Sequence, residues 1–220
     1  MSGDAFRLDG RVAVVTGAGG GLGEGICSSL AAAGAAVACV DLTEAKSVTR
    51  ADQVRAAGGT AIVVTADVSS RPSVDAMAAK VVEELGGIDI LVNHAAIYPS
   101  RPWTEITEEE WDAVQAVNVK GYFLCARACH SSMAAPVRGR IVNVASITLF
   151  GGWSNLLAYV TSKGGVLAFT RGLAREVGPE GITVNCIVPS MVATETANTD
   201  YAGWEEGVLA EQAIKRVQQP

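Results

Sequence analysis

Six short runs rich in apolar and β-branched residues recur along this chain: Val12–Thr16, Val37–Asp41, Ala61–Thr65, Ile88–Asn93, Arg140–Ala145 and Thr183–Val188. Stretches of helical periodicity separate them. The runs are nearly continuous in their apolar character rather than alternating, which is what burial on both faces of a sheet requires. The intervening segments are too long for hairpins and long enough for crossover helices. The expected fold is therefore α/β, a doubly wound parallel sheet with helices on both faces. No repeat, low-complexity tract or linker interrupts the alternation, and 220 residues with 49% hydrophobic content suit one domain spanning 1–220.

The first run leads straight into Gly17-Ala-Gly-Gly-Gly21-Leu-Gly23, after which Ile26, Leu30 and Ala33 repeat at helical spacing. Strand, glycine turn and helix start are the parts of a phosphate cradle: glycines let backbone approach a pyrophosphate, and the helix N-terminus attracts the anion. The common G-x-G-x-x-G spacing fails at Leu22, while G-x-x-x-G-x-G fits Gly17, Gly21 and Gly23. Five glycines in seven residues make some match easy, so a merely flexible turn stays open. The second run ends in Asp41, about 20 residues past the glycine turn, where an acid binds ribose hydroxyls. A carboxylate there favours NAD over NADP by repelling a 2′-phosphate. No Arg or Lys immediately follows it. The competing reading of Asp41 is a cap on the next helix.

Tyr159 and Lys163 stand four residues apart, with Ser146 thirteen residues before the tyrosine at the end of the fifth run. On a helix, i and i+4 share a face, so the lysine ammonium is expected beside the phenol. A nearby cation favours the phenolate and is expected to pull the tyrosine below its ordinary value of about 10, fitting it for acid–base work near neutral pH. Ser146 is expected to hold the substrate oxygen. Taken alone, Tyr-x-x-x-Lys also reads as an ordinary pair on a helix surface.

From about Leu8 onward, the glycine pattern, Ser146, Tyr159 and Lys163 together resemble the short-chain dehydrogenase/reductase family. The resemblance implies a three-layer Rossmann fold and a catalytic group completed by Asn118, inside the helix after the fourth strand, where it usually holds a water in the proton relay to lysine. It also implies NAD contacts from Gly17, Gly21, Leu22, Gly23, Asp41, Asp67, Val68, Asn93, Tyr159, Lys163 and Thr194. Asp67 is alternatively a cap on the next helix. Family members usually form tetramers, so a homo-oligomer is expected. Similar sequences continue through a further helix and a final strand, whereas only six strands can be read here. The final strand is missing from this reading, and a less stable, more heterogeneous assembly is expected from its absence.

Two departures from the family pattern stand out. The usual Asn-Asn-Ala-Gly after the fourth strand reads Asn93-His94-Ala95-Ala96, so the backbone at Ala96 cannot need a strongly positive φ. After the sixth strand the usual Pro-Gly is Pro189-Ser190, a serine expected beside the nicotinamide that would reshape the substrate pocket. Family pocket positions carry Ile97, Ile147, Trp153, Leu156, Met191 and Val192, with Tyr201 and Trp204 in the covering segment. Each of these apolar side chains also fits plain core packing. With no Arg or Lys among them, an apolar secondary alcohol or ketone is the expected substrate, and Pro-Ser-Met-Val looks like aryl-alcohol dehydrogenases of the family. A 3-oxoacyl-thioester reductase is the second reading, and an inactive cofactor-binding or scaffold protein the third.

A net charge of −6 argues against nucleic-acid or anionic-membrane surfaces. The start of the chain lacks the apolar core of a signal peptide, and no membrane span is read, so a cytoplasmic home is expected. Five cysteines without C-x-x-C read as free, buried thiols of a reducing compartment. Cys125, Cys129 and His130 lack a fourth ligand, so core packing is expected and no metal. A Ser-His-Asp hydrolase would need one of the two histidines beside a serine elbow, and G-x-S-x-G does not occur.

Overall fold

The computed structural model describes residues 6–133, 139–192, 194 and 205–218. Its strands are β1 (Val12–Thr16), β2 (Ala36–Asp41), β3 (Ala61–Thr65), β4 (Ile90–Asn93), β5 (Arg140–Val144) and β6 (Thr183–Ile187). The helices are α1 (Gly21–Ala32), α2 (Glu44–Ala56), α3 (Arg71–Leu85), α4 (Glu108–Gln115), α5 (Gly121–Met133), α6 (Thr148–Gly151), α7 (Leu157–Val177) and α8 (Glu205–Glu211). All six strands pair in parallel in the order β3-β2-β1-β4-β5-β6. The chain winds outward from β1 to β3, then returns to the far side of β1 as β4. That reversal opens a crevice at the carboxyl ends of β1 and β4, the place where such sheets bind ligands.

Alternate residues of each central strand feed two cores. Val12, Val14, Ala38, Val40 and Leu91 pack with Met77 and Val81 of α3 and Cys125 and Cys129 of α5. Ala13, Val15, Val37, Cys39 and Val92 pack with Cys27 of α1 and Ala51 and Val54 of α2. Helices therefore cover both faces, as the continuous apolar runs predict. Cys125 and Cys129 are core thiols, and His130 leaves them to meet Glu180 at 2.8 Å. Cys186 differs from the expectation of burial, being only partly covered on β6.

β1 and β3 match the sequence expectation, and each of the other four strands departs from it by one or two residues at one end. β4 starts at Ile90 rather than Ile88. Just before it the Asp89 carboxylate accepts the Val12 amide at 2.9 Å and Arg11 at 3.0 Å, fastening β1 to the turn below it. A buried polar chain joins the sheet to α7: Asn93 donates to Asn143 across β4 and β5, and Asn143 donates to Thr170, both at 2.9 Å. Between α4 and α5 the helix widens into a π turn at Ala116–Lys120, with the Gly121 amide reaching the Ala116 carbonyl. Such widening commonly marks functional positions.

Candidate active site

A cleft of about 490 Å³ lies at the carboxyl ends of the strands, running from the glycine turn and Asp41 to Tyr159 and Lys163. Its floor depends on missing side chains. Gly17 has φ +69°, and a Cβ there would lie 2.8 Å from the Ala95 Cα. At Gly23 a Cβ would come within 2.6 Å of the Gly17 and Ala18 carbonyl oxygens, so this glycine lets α1 close on the turn rather than lining the cleft. Gly20 caps α1 without a side-chain hydrogen bond, which leaves the amides of the first helical turn facing outward. This is a surface that backbone alone presents to an anion, and it fits a dinucleotide diphosphate. The turn is fastened from behind by Arg50, which is buried and donates to the Ala18 carbonyl at 3.1 Å.

Asp41 ends β2 and lines the cleft, but its carboxylate is already employed in the turn. One oxygen accepts the Gly19 amide and the other the Thr43 amide, each at 3.1 Å. It does not cap α2, whose N-cap Thr43 makes no side-chain cap bond. Lys46, five residues on, lays its stem against Gly19 and lines the same end of the cleft. Linear spacing gave no reason to single it out. Asp67 and Val68 also line this end. Asp67 caps no helix either, since its Oδ1 accepts the Ser69 amide and hydroxyl at 2.9 and 2.7 Å while α3 starts after Ser70.

At the opposite end, α7 carries Tyr159 and Lys163 toward the tip of β5, where Ser146 stands. Ser146 Oγ accepts from Thr148, whose hydroxyl lies at 3.0 Å and whose amide lies at 3.3 Å, leaving the serine proton for the cleft. Thr148 thus orients the serine, a role absent from the sequence expectation. Lys163 is almost fully enclosed and donates to the Val144 carbonyl at 2.7 Å and to the Tyr122 hydroxyl at 3.4 Å. Its nitrogen sits over the Tyr159 ring, 5.5 Å from the ring centre.

The charge shift of the tyrosine runs opposite to the sequence expectation. Burial raises the Tyr159 phenol above its ordinary value, and the hydrogen bond from Ser146 only partly offsets it. Burial also lowers Lys163, to about 7. Spacing on a helix establishes a shared face but not depth, and desolvation outweighs the expected attraction.

The side chains of Asn93 and Asn118 act as supports. Asn93 is fully buried, does not line the cleft and ties β4 to β5, with its own carbonyl oxygen left without a partner among the described residues. Asn118, in the π turn, clamps the backbone of Ile97 by accepting its amide and donating to its carbonyl, both at 2.9 Å, and also donates to Ser162 of α7 at 3.0 Å. It therefore fixes the loop after β4 against the catalytic helix, with its side chain wholly taken up by protein.

Ile97, Ile147, Trp153, Leu156, Met191 and Val192 all line the cleft. Tyr98 joins them, its ring edge-on to Tyr159 at 5.9 Å, and was not foreseen because nothing local marks it. Tyr201 and Trp204 fall outside the described residues. Among the described residues Asn155 is the one non-glycine with positive φ, so Ala96 does without a glycine's freedom, as expected. Ser190 also takes a structural part: its hydroxyl donates to the Gln212 amide oxygen at 3.0 Å, and the Gln212 nitrogen reaches the Ile214 and Arg216 carbonyls. With Val192 bridged to Gln218, this clasp secures residues 212–218 to the loop after β6. Thr194 in that loop packs over Gly21, where a Cβ would meet it at 2.3 Å.

A sequence model of the short chain dehydrogenase family matches residues 11–203. The chain is 43% identical over 207 residues to the short-chain reductase protein NovJ of Streptomyces niveus, covering 92% of this chain and 78% of that protein. It is 37% identical over 187 residues to the (2S)-[(R)-hydroxy(phenyl)methyl]succinyl-CoA dehydrogenase subunit BbsD of Thauera aromatica, covering 85% and 75%. Among solved structures, a short-chain type dehydrogenase/reductase from Mycobacterium marinum superposes with TM-score 0.92 at 31% identity, covering 99% of this chain and 86% of that one. A protein from Beutenbergia cavernae, provisionally named an NAD(P) dependent gluconate 5-dehydrogenase, has NADP bound at low occupancy; it matches with TM-score 0.89 at 34% identity, covering 98% and 86%. Cradle, cleft and relatives agree, and the chain belongs to the short-chain dehydrogenase family of oxidoreductases that use a nicotinamide cofactor.

Proposed function

We propose that this chain is an NAD-dependent dehydrogenase of apolar secondary alcohols, or a reductase of the corresponding ketones. The observation that carries the reading is the meeting of Ser146, Tyr159 and Lys163 in one cleft, beside a wall to which Ile97, Ile147, Trp153, Leu156, Met191 and Val192 give a largely apolar character. Lys46 and Lys163 are the cationic side chains lining the cleft among the described residues, and Lys46 lies at the Asp41 end, away from the substrate wall. The Lys163 nitrogen is turned to the Val144 carbonyl and the Tyr122 hydroxyl, so the described substrate wall offers no further cation to a substrate carboxylate or phosphate. Asp41 supports NAD, because a 2′-phosphate would approach its carboxylate.

A nicotinamide cofactor held there would supply or accept the hydride. Glycines 17 and 21, Leu22, Asp41, Asp67, Val68 and Thr194 are the residues proposed to hold the dinucleotide. Tyr159 gives a proton to the carbonyl oxygen or takes it from the alcohol, and Ser146, oriented by Thr148, donates to the same oxygen. Lys163 would hold the nicotinamide ribose and, when protonated, would draw the phenol back toward neutral pH. Asn118 keeps Ile97 and α7 in register so that these groups converge.

A thioester-bearing substrate is the second reading, favoured by the likeness to BbsD, whose name joins a benzylic alcohol to a CoA ester. NADH formation would be followed with aryl and alkyl secondary alcohols, and NADH consumption with acetoacetyl thioesters. Turnover of simple aryl carbinols supports the leading reading; turnover restricted to thioesters replaces it with the second.

A further inference from the structure

The proton chemistry described above leaves His94 unused, although this residue stands where similar sequences carry a second asparagine. It directly follows β4, and its amide and that of Ala95 both donate to Thr16 Oγ1, at 3.1 and 3.2 Å. The ring is thereby wedged under the glycine turn, with Nδ1 3.1 Å from the Gly17 carbonyl oxygen. A carbonyl can only accept, so Nδ1 carries hydrogen and Nε2 is the remaining nitrogen. Nε2 has no hydrogen-bond partner among the described residues. The Cε1 edge points toward Gly20, the N-cap of α1, where an added Cβ would stand 3.5 Å away. His94 lines the cleft at this point.

We propose that His94 is a cofactor-binding residue of this chain, donating from Nε2 to the diphosphate of a dinucleotide seated in the glycine turn. The proposal rests on the cofactor reading of the cleft. Asparagine at this position offers a neutral amide, whereas imidazole can add a full charge as the anion arrives. The charged groups facing the ring are Lys163 from α7 and Asp41 from the end of β2; β1 and the turn present backbone groups of Thr16 and Gly17. Burial and then Lys163 hold the imidazole below its ordinary value, and the backbone of Gly17 and Thr16 and then Asp41 oppose them less strongly. A diphosphate reverses that balance, so binding draws one proton from solvent onto Nε2 and affinity rises as pH falls. Lys163 takes up its proton in a higher window, around and above 7.

The probe is ADP-ribose, titrated calorimetrically from pH 5.5 to 8.5 in buffers of different ionisation enthalpy, with wild type and His94→Gln. Wild type is expected to take up protons below pH 7 and to tighten about three- to tenfold from pH 7.5 to 5.5, within the limit of tenfold per pH unit for one proton. His94→Gln should lose this segment while keeping the uptake above pH 7. Equal affinity and proton uptake in both proteins below pH 7 would overturn the proposal. The chain has two histidines, so imidazole NMR of the wild type provides a second measurement that needs no variant. The His94 resonance should titrate at higher pH with ADP-ribose than without it, and an unmoved midpoint likewise overturns the proposal. Failure of ADP-ribose to bind wild type at any pH would instead remove the cofactor reading itself.

Discussion

Tyr159 shows how far residue types and spacing reach and where they stop. Its hydroxyl chemistry is legible from the local pairing with Lys163, but the direction of its charge shift is not, because enclosure depends on β5, α5 and the loop after β4 together. For the same reason Asp41, Ser146 and the glycines could be picked out in the chain, whereas Thr148, Tyr98 and Lys46 acquire meaning only through neighbours distant in sequence or lacking a motif. Tyr159→Phe should cut turnover by about 10²–10⁴-fold while leaving NADH affinity nearly unchanged, the scale of a positioned acid–base group. A rate above a tenth of wild type, measured by NADH absorbance, would remove the tyrosine from that role. The phenol must be ionised to accept the alcohol's proton, and burial raises it, so alcohol oxidation should speed up with rising pH. Lys163→Ala should move that rise to still higher pH; identical pH profiles for the two proteins would count against the electrostatic role of the lysine.

At the scale of elements, the six strands were recoverable to within two residues because burial on both faces writes itself as unbroken apolar runs. The π turn at Ala116–Lys120 was not recoverable, since Asn118 is drawn into it by the Ile97 backbone, a tertiary contact. The joint between β1 and the loop after β4 is Thr16, which accepts two amides from that loop. Thr16→Val should therefore destabilise the fold by about 1–3 kcal/mol, the cost of leaving buried donors unpaired. Denaturant melts with an unchanged midpoint would show that the loop finds other partners. α7 carries a second consequence. The folded lysine loses its proton near 7, while the unfolded one keeps it to about 10.4. The unfolded state then binds more protons above pH 7, so ligand-free stability should climb from pH 7 toward 8.5, by at most about 1.4 kcal/mol per unit. Beyond that, buried thiols such as Cys125, pushed up to about 12, oppose the climb because they ionise only on unfolding. Chemical denaturation of wild type and Lys163→Met across this range checks it: the variant should show no climb.

For the whole molecule, the doubly wound order places both ends of the cleft on the same side of the sheet, so one substitution at the β2 tip acts far from the chemistry. Asp41→Ser should weaken NAD and relieve the repulsion of NADP, shifting the ratio of their kcat/KM values toward NADP. A wild-type enzyme that already prefers NADP would show that the carboxylate does not set the choice. Thr194, packed over Gly21, carries a different kind of consequence, one of rates. A dinucleotide held at the helix start would be gripped from two directions, by the turn before α1 and by Thr194, so its escape would require both to let go. Stopped-flow displacement of bound NADH should then show slower release from wild type than from Thr194→Ala, and equal rates would show that the threonine does not hold the cofactor.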